Sequence, residues 1–242
     1  MKICLAGFSQ LKKKREYINN SKYLLESFYS IEDWQIPFIK SSDLFLLDSG
    51  AFTFMRGNAK VDWADYIKRY AEFINKYDVK YFFELDIDNI VGYEKVLEYR
   101  KLLERLTQKK CIPVWHKSRG KDEFIRMCKE YDYVAIGGIV TKEIAKKDYK
   151  YMKPLINIAH KNNCKIHGLG FTPTGLLKEY HFDSVDSTNW MYYRYGKYWQ
   201  IKNNIMVLSK HPQGKRCHRI DEMMVYNWNL WCSYQRYAKT HL

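Results

Sequence analysis

The hydrophobic period of this chain switches repeatedly between two residues and about 3.6, and that alternation limits the folds open to it. Strand-like runs occupy residues 2–7, 23–29, 44–48, 80–86, 111–116, 133–137, 165–170 and 182–186. Between most of them the apolar residues take helical spacing. The clearest case is 62–77, where Trp63, Tyr66, Ile67, Tyr70, Phe73, Ile74 and Tyr77 recur on one face. Residues 93–107 carry the same period through Val96, Leu97, Leu103 and Leu106, and 121–130, 147–162 and 174–180 are shorter candidates. Strand and helix alternating eight times predict an α/β fold, a (β/α)8 TIM barrel, in preference to an open sheet. The first two units are the least regular, because 9–20 reads as a charged loop. At 242 residues, with no linker, low-complexity tract or short repeat, residues 1–242 are read as a single compact barrel domain.

Barrels carry their chemistry at the C-terminal ends of the strands. Those ends hold Asp48, Asp86 with Asp88, His116, Gly137 with Gly138, Gly168 with Gly170, and Asp183 with Asp186. Carboxylates at three strand ends and glycines at two others predict an acidic cup where a flat ligand reaches the backbone. Any one such aspartate also suits a turn or a helix cap. Their joint placement is what points to a site.

The charge balance narrows the partner. Lys and Arg number 41 against 27 Asp and Glu, a net charge of +14. Such an excess favours a polyanion through counterion release, although a Lys-rich solvated surface also accounts for it. The segment 190–242 concentrates aromatic and basic residues: Trp190, Tyr192, Tyr193, Tyr195, Tyr198 and Trp199, then a basic stretch 210–219 and a helical pattern 220–241 with Trp228, Trp231 and Tyr234. That mixture suits a nucleic-acid backbone with unstacked bases, and equally a closing barrel helix with an aromatic core face. Six cysteines without C-x-x-C spacing read as reduced thiols. No signal-like or membrane-spanning run occurs, so a soluble cytoplasmic protein is expected (host cytoplasm if phage-encoded), with no membrane partner.

Four short motifs carry a resemblance. They are Asp48-Ser49-Gly50-Ala51-Phe52, Ala135-Ile136-Gly137-Gly138-Ile139, His167-Gly168-Leu169-Gly170 and Phe182-Asp183-Ser184-Val185. In that order they resemble the D-S-G-G-F, A-I-G-G-L, M-G-V-G and F-D-C-V motifs of the tRNA-guanine transglycosylase superfamily. The continuation Val185-Asp186-Ser187-Thr188-Asn189-Trp190 is closer to its DNA-acting branch, which inserts 7-deazaguanine bases into phage or bacterial DNA. The resemblance spans about residues 23–190.

The resemblance implies a pentosyltransferase that exchanges guanine in DNA for a 7-deazaguanine derivative, a preQ0-like base, as second substrate. A carboxylate attacks the anomeric carbon, guanine leaves, and the incoming base, deprotonated by a second carboxylate, displaces the sugar–enzyme ester. No metal or cofactor is required for those steps. Matched by motif, Asp183 takes the nucleophile position and Asp48 the general base. Asp186 is the alternative nucleophile, since strand alternation puts it on the other face from Asp183. Asp86 is expected to bind the purine N1–H and amino edge, with Asp88 as substitute. Ser49, Gly50, Gly137, Gly138 and Gly168 belong to the same base-binding set, and Phe52 is expected to stack on the purine. His116 stands where the family has a base-binding Gln and His167 where it has a stacking Met; a buried structural histidine is the alternative for each.

Phosphate contacts are expected from Lys117, Arg119, Lys121, Lys215, Arg216 and Arg219, and a lid from 53–60 with Phe54, Met55 and Arg56. The family's RNA-acting members carry a C-terminal zinc site. Here His211, Cys217, His218 and Cys232 match no strong zinc spacing, which favours DNA over tRNA. An RNA-acting transglycosylase, a non-catalytic nucleic-acid-binding barrel and a metal-assisted hydrolase using His116 stay open here, as do a homodimer and a partner subunit.

Overall fold

The computed structural model describes residues 1–50, 53, 61–210 and 219–242. Its parallel strands are β1 (Lys2–Ala6), β2 (Tyr23–Ser27), β3 (Leu44–Asp48), β4 (Tyr81–Phe82), β5 (Val114–Trp115), β6 (Tyr133–Ile136), β7 (Lys165–Gly168) and β8 (Ser184–Ser187). The sheet order β4-β3-β2-β1-β8-β7-β6-β5 seats the first strand beside the last and leaves β4 and β5 at the edges. Those edges meet. Ile112 N–H donates to Phe82 O at 2.8 Å and Glu84 N–H to Ile112 O at 3.0 Å, a parallel bridge that closes the ring. The fold is a (β/α)8 TIM barrel, and closure removes the exposed strand edges that invite mispairing.

Side chains alternate across the wall. Cys4, Ala6, Tyr23, Leu25, Leu44, Leu46, Phe83, Ile112, Val114, Tyr133 and Ala135 form one buried cluster, the barrel interior. Ile3, Leu5, Leu24, Phe45, Leu47, Val134, Ile136, Ile166 and Val185 belong to the outer layer under the helices. The two-residue period therefore turns Asp48, His116 and Asp186 inward, in step with Leu46, Val114 and Ser184.

The helix Trp63–Tyr77 shows how the outer layer holds the strand ends. Asp62 caps it by accepting the Asp65 N–H at 3.0 Å, and Asp78, at φ 51°, ends it. Its buried face carries Tyr66, Ile67, Tyr70 and Ile74. The Tyr66 hydroxyl donates to Ser49 O at 2.6 Å, and the Tyr70 hydroxyl lies 3.1 Å from the Leu47 and Phe83 carbonyls. Helices Tyr93–Thr107, Gly120–Glu130, Met152–Lys161 and Ile220–His241 continue the layer.

Three segments depart from the sequence pattern. Residues 9–20 fold largely into 3-10 turns, which sink Leu11 and Ile18 into the outer core beside Phe8. The helix expected at 174–180 is only the 3-10 turn Leu177–Glu179, and 147–162 begins as a 3-10 turn before the helix Met152–Lys161. After β8 comes an antiparallel hairpin, β9 (Lys197–Lys202) and β10 (Ile205–Lys210), turned by Asn203 and Asn204 at φ 50° and 60°. Asparagine tolerates that left-handed conformation.

Of the two readings of 190–242, the aromatic core face describes most of its large rings among the described residues, while Tyr195 and Tyr226 stay exposed. Trp190, Trp228 and Trp231 are fully buried, and Trp190 meets Trp228 edge to face at 4.9 Å. Asn227 Oδ1 accepts the Trp199 N–H at 3.0 Å, while Gln235 Nε2 donates to Ile3 O at 2.6 Å and Tyr23 O at 2.8 Å. These contacts tie the last helix to the first strands. Cys4, Cys111, Cys128, Cys164 and Cys232 are buried free thiols. Among the described residues no helix is long and apolar enough to cross a membrane. Lys215, Arg216, His211, Cys217, His218, Phe52 and the 54–60 part of the expected lid lie outside the described residues.

Candidate active site

A cavity of about 570 Å³ opens at the C-terminal ends of the strands. Its wall includes Glu26, Asp48, Asp86, Glu143, Asp186 and His116, with Gly137, Gly138 and Gly170 giving backbone access. Asp48, Asp86 and Asp186, distant in sequence, thus share one cup. Glu26 and Glu143 were not foreseen. Glu26 is a carboxylate in the second-last place of β2, just after the apolar Tyr23-Leu24-Leu25; Glu143 sits in a loop with no periodicity to mark it.

Asp186 is held asymmetrically. Its Oδ1 accepts the Gly170 N–H at 2.6 Å and faces His167 Nε2 at 3.3 Å. Among the described residues Oδ2 has no hydrogen-bond partner. Beneath it, His167 is fully buried, with Nδ1 2.5 Å from Ser184 Oγ, which in turn bonds the Tyr133 hydroxyl. His167 therefore supports a carboxylate from below and does not stack on a ligand, which corrects that expectation.

Asp183 does not reach the cup. Strand β8 begins at Ser184, so Asp183 lies at its N-terminal end, where its carbonyl accepts the Lys2 N–H at 2.9 Å. Its carboxylate accepts the Ile166 N–H at 2.8 Å and meets His160 at 3.0 Å, on the opposite rim of the barrel. The motif match thus fell on a carboxylate three residues before the one that lines the cup. Parity held the signal: Asp183 shares a face with outward Val185.

Opposite Asp186, His116 is clamped between acids, Nδ1 3.1 Å from Glu143 Oε2 and Nε2 3.4 Å from Asp86 Oδ2. Burial opposes its charge, but the hydrogen bonds to Asp86 and Glu143 outweigh it and raise its pKa to about 9. The same bond holds Glu143 down to about 2. His116 is the one cationic side chain among the described residues lining the cup. The glycine pair makes room for this array. A Cβ on Gly137 would fall 2.8 Å from His116 Cε1, and one on Gly138, at φ +79°, 2.8 Å from Glu143 Oε2.

Behind them lies a buried ion network. Arg119 forks onto Asp88 at 2.8 and 2.7 Å and reaches Glu84 Oε1 at 2.8 Å; Arg100 Nε meets Glu84 Oε2 at 2.5 Å. With its side chain 1% exposed, Arg119 cannot contact phosphate, and Asp88 is engaged by it, which corrects both expectations. Gly168 faces the outer layer, where a Cβ would meet Phe171 at 3.0 Å, and Ser49 is fully buried beneath the cup. Gly50 donates its N–H to Asp48 Oδ2 at 2.9 Å. Lys117, Lys121 and Arg219 are exposed, Lys117 being 3.6 Å from Asp148 and Arg219 3.3 Å from Glu222.

Burial, with the neighbouring Asp86 charge, raises the Asp48 pKa from 3.8 to about 7, against the opposing Gly50 N–H and with smaller contributions from Asp186 and Glu26. A carboxyl whose folded pKa is raised binds a proton that the unfolded chain has lost, so stability falls as pH rises from 3.8 to about 7. Asp48→Asn is expected to raise the melting temperature at pH 8, with the gain shrinking as pH drops and vanishing near 4. Melts across that range check this; a pH-independent difference would contradict it.

No known family's sequence profile matches the chain, and no curated protein sequence matches it. Among solved structures, the aldolase QR15 is similar, with a TM-score of 0.45 and 12% identity over 77% of this chain and 88% of that one. No group of three or more His, Cys, Asp or Glu suited to a metal ion occurs among the described residues.

Proposed function

We propose that this barrel is an enzyme that exchanges guanine in DNA for a 7-deazaguanine base through a covalent aspartyl–sugar ester. The observation that carries this is the convergence of Asp48, Asp86 and Asp186 on one cavity of about 570 Å³, a size that suits a nucleoside. Asp186, with Oδ2 free of hydrogen bonds among the described residues, is the nucleophile. Its attack on the anomeric carbon sends the glycosidic electron pair to the departing purine. Asp48, with a pKa of about 7, holds a proton at the start and serves as base once it is gone, which suits a group that must protonate one purine and deprotonate the next. Asp86 accepts the N1–H and amino edge, held in place by the His116 imidazolium, whose two N–H groups face Asp86 and Glu143.

Guanine must leave its stack to enter, at a cost of a few kcal/mol in a duplex and less in a single strand. Lys117, Lys121 and Arg219 are exposed for phosphates. The preference for DNA over tRNA rests on the D-S-T-x-W run ending at Trp190. The test offers a labelled preQ0-like base with guanine-containing DNA or with tRNA, and reads nucleosides by mass spectrometry. Label in deoxynucleosides is expected, falling as salt rises. Label in tRNA alone would overturn the choice of acceptor, and label in neither would overturn base exchange.

A further inference from the structure

Beneath the proposed nucleophile, a chain of buried polar groups has no part in the steps just described. His167 is fully buried, Ser184 is 1% exposed, and both sit inside the barrel wall beside Tyr133. Polar groups cost free energy there unless fully paired. Here they are paired in one consistent direction: Tyr133 O–H to Ser184 Oγ, Ser184 O–H to His167 Nδ1, and His167 Nε2–H to Asp186 Oδ1. With a neutral imidazole, the Asp186 carboxylate, as acceptor, sets that order. Gly170 N–H ends on the same oxygen.

Both donors meet Oδ1, and neither meets Oδ2. We infer that His167, backed by Ser184 and Tyr133, is a positioning residue that sets the balance between the free Asp186 carboxylate and its sugar ester. In the first step an Oδ2 lone pair bonds to the anomeric carbon while the carbon–N9 bond breaks toward guanine. Oδ1 then becomes an ester carbonyl, a weaker acceptor. In the second step the incoming N9 lone pair takes the same carbon, the C–Oδ2 bond breaks, and its electron pair restores a carboxylate whose charge spreads onto Oδ1. Donors on Oδ1 therefore stabilise the carboxylate more than the ester. They keep the covalent state from accumulating and favour its release.

This rests on the proposed base exchange, and its test is chosen to fail separately. His167→Met removes the donor at similar volume, His167→Gln keeps an N–H, and Ser184→Ala cuts the chain one link back, covering the case in which His167→Met does not fold. Each protein is equilibrated with a guanine-containing oligonucleotide at fixed free guanine, and the covalent fraction is read by denaturing gel and intact mass. A hydrogen bond to a charged group is worth a factor of roughly 10–100. The adduct-to-free ratio is expected to rise about 10-fold or more in His167→Met, to rise less in Ser184→Ala, and to stay near wild type in His167→Gln. A merely structural role would slow the approach to equilibrium without raising this ratio. Unchanged or lower ratios in both His167→Met and Ser184→Ala, with wild type forming adduct, would overturn the inference alone. A wild type that forms no adduct and exchanges no base would overturn the proposed reaction, and the inference with it.

Discussion

Asp186→Ala is expected to lower base exchange by at least ~10³-fold, because it deletes the atom proposed to bond to the sugar while leaving the cup in place. The fold should tolerate the change. Asp186 contributes one oxygen to Gly170 N–H and His167, and its removal relieves crowding with Asp48, whose proton affinity it helps to raise. Asp183→Asn is the matched control. That side chain sits on the opposite rim with His160, both more than a third exposed, so exchange should proceed at close to the wild-type rate. Parallel exchange assays on the two variants decide between the positions. Loss of activity in Asp183→Asn with retention in Asp186→Ala would reverse the assignment.

Glu84→Gln is expected to produce the largest loss of stability of any single exchange at the site's support. Glu84 is 0% exposed and lies between Arg100 and Arg119, whose side chains are 3% and 1% exposed. Burial raises the cost of its charge, yet the two guanidiniums outweigh it and hold the carboxyl below its ordinary value. Breaking a buried ion pair by removing one charge costs about 3–5 kcal/mol, since the remaining cations stay buried without their partner. The depressed pKa fixes the pH dependence. Stability from Glu84 is present above 4.5, the ordinary value, and is lost as pH falls through the lower folded one. The deficit of the variant should therefore narrow below 4.5. Urea denaturation at pH 7 and at pH 4 measures it. A deficit under about 1 kcal/mol at pH 7 would show that Asp88 alone satisfies Arg119.

Much of this architecture was legible in the residues. Period-two runs and period-3.6 faces record burial on two sides of a wall, so the strands and the helix Trp63–Tyr77 could be read directly. Asp48, Asp86, His116 and the glycine pair were legible because a barrel gathers its strand ends. What failed did so for physical reasons. The motif around Asp183 was matched by its letters, while the strand starts one residue later, and alternation then gives Asp186 the inward place. Arg119 looked like a surface cation because sequence does not display Glu84 and Asp88 waiting inside. The aromatics of 190–242 suited a stacking surface and a core face equally in sequence, and the choice is made by remote hydrogen bonds such as those of Asn227 to Trp199 and Trp190. His167 occupies a position read as a ligand contact, and only the register of β7 against β8 shows it beneath Asp186.

The central claim is that an Asp186 carboxylate oxygen bonds to the sugar. The protein is incubated with a guanine-containing oligonucleotide, quenched in acid and digested, and the modified peptide is sequenced by tandem mass spectrometry. The expected product is a peptide bearing the oligonucleotide less one guanine, esterified at Asp186. An ester at Asp183 or Asp48, or no ester while labelled base enters the DNA, would contradict the account.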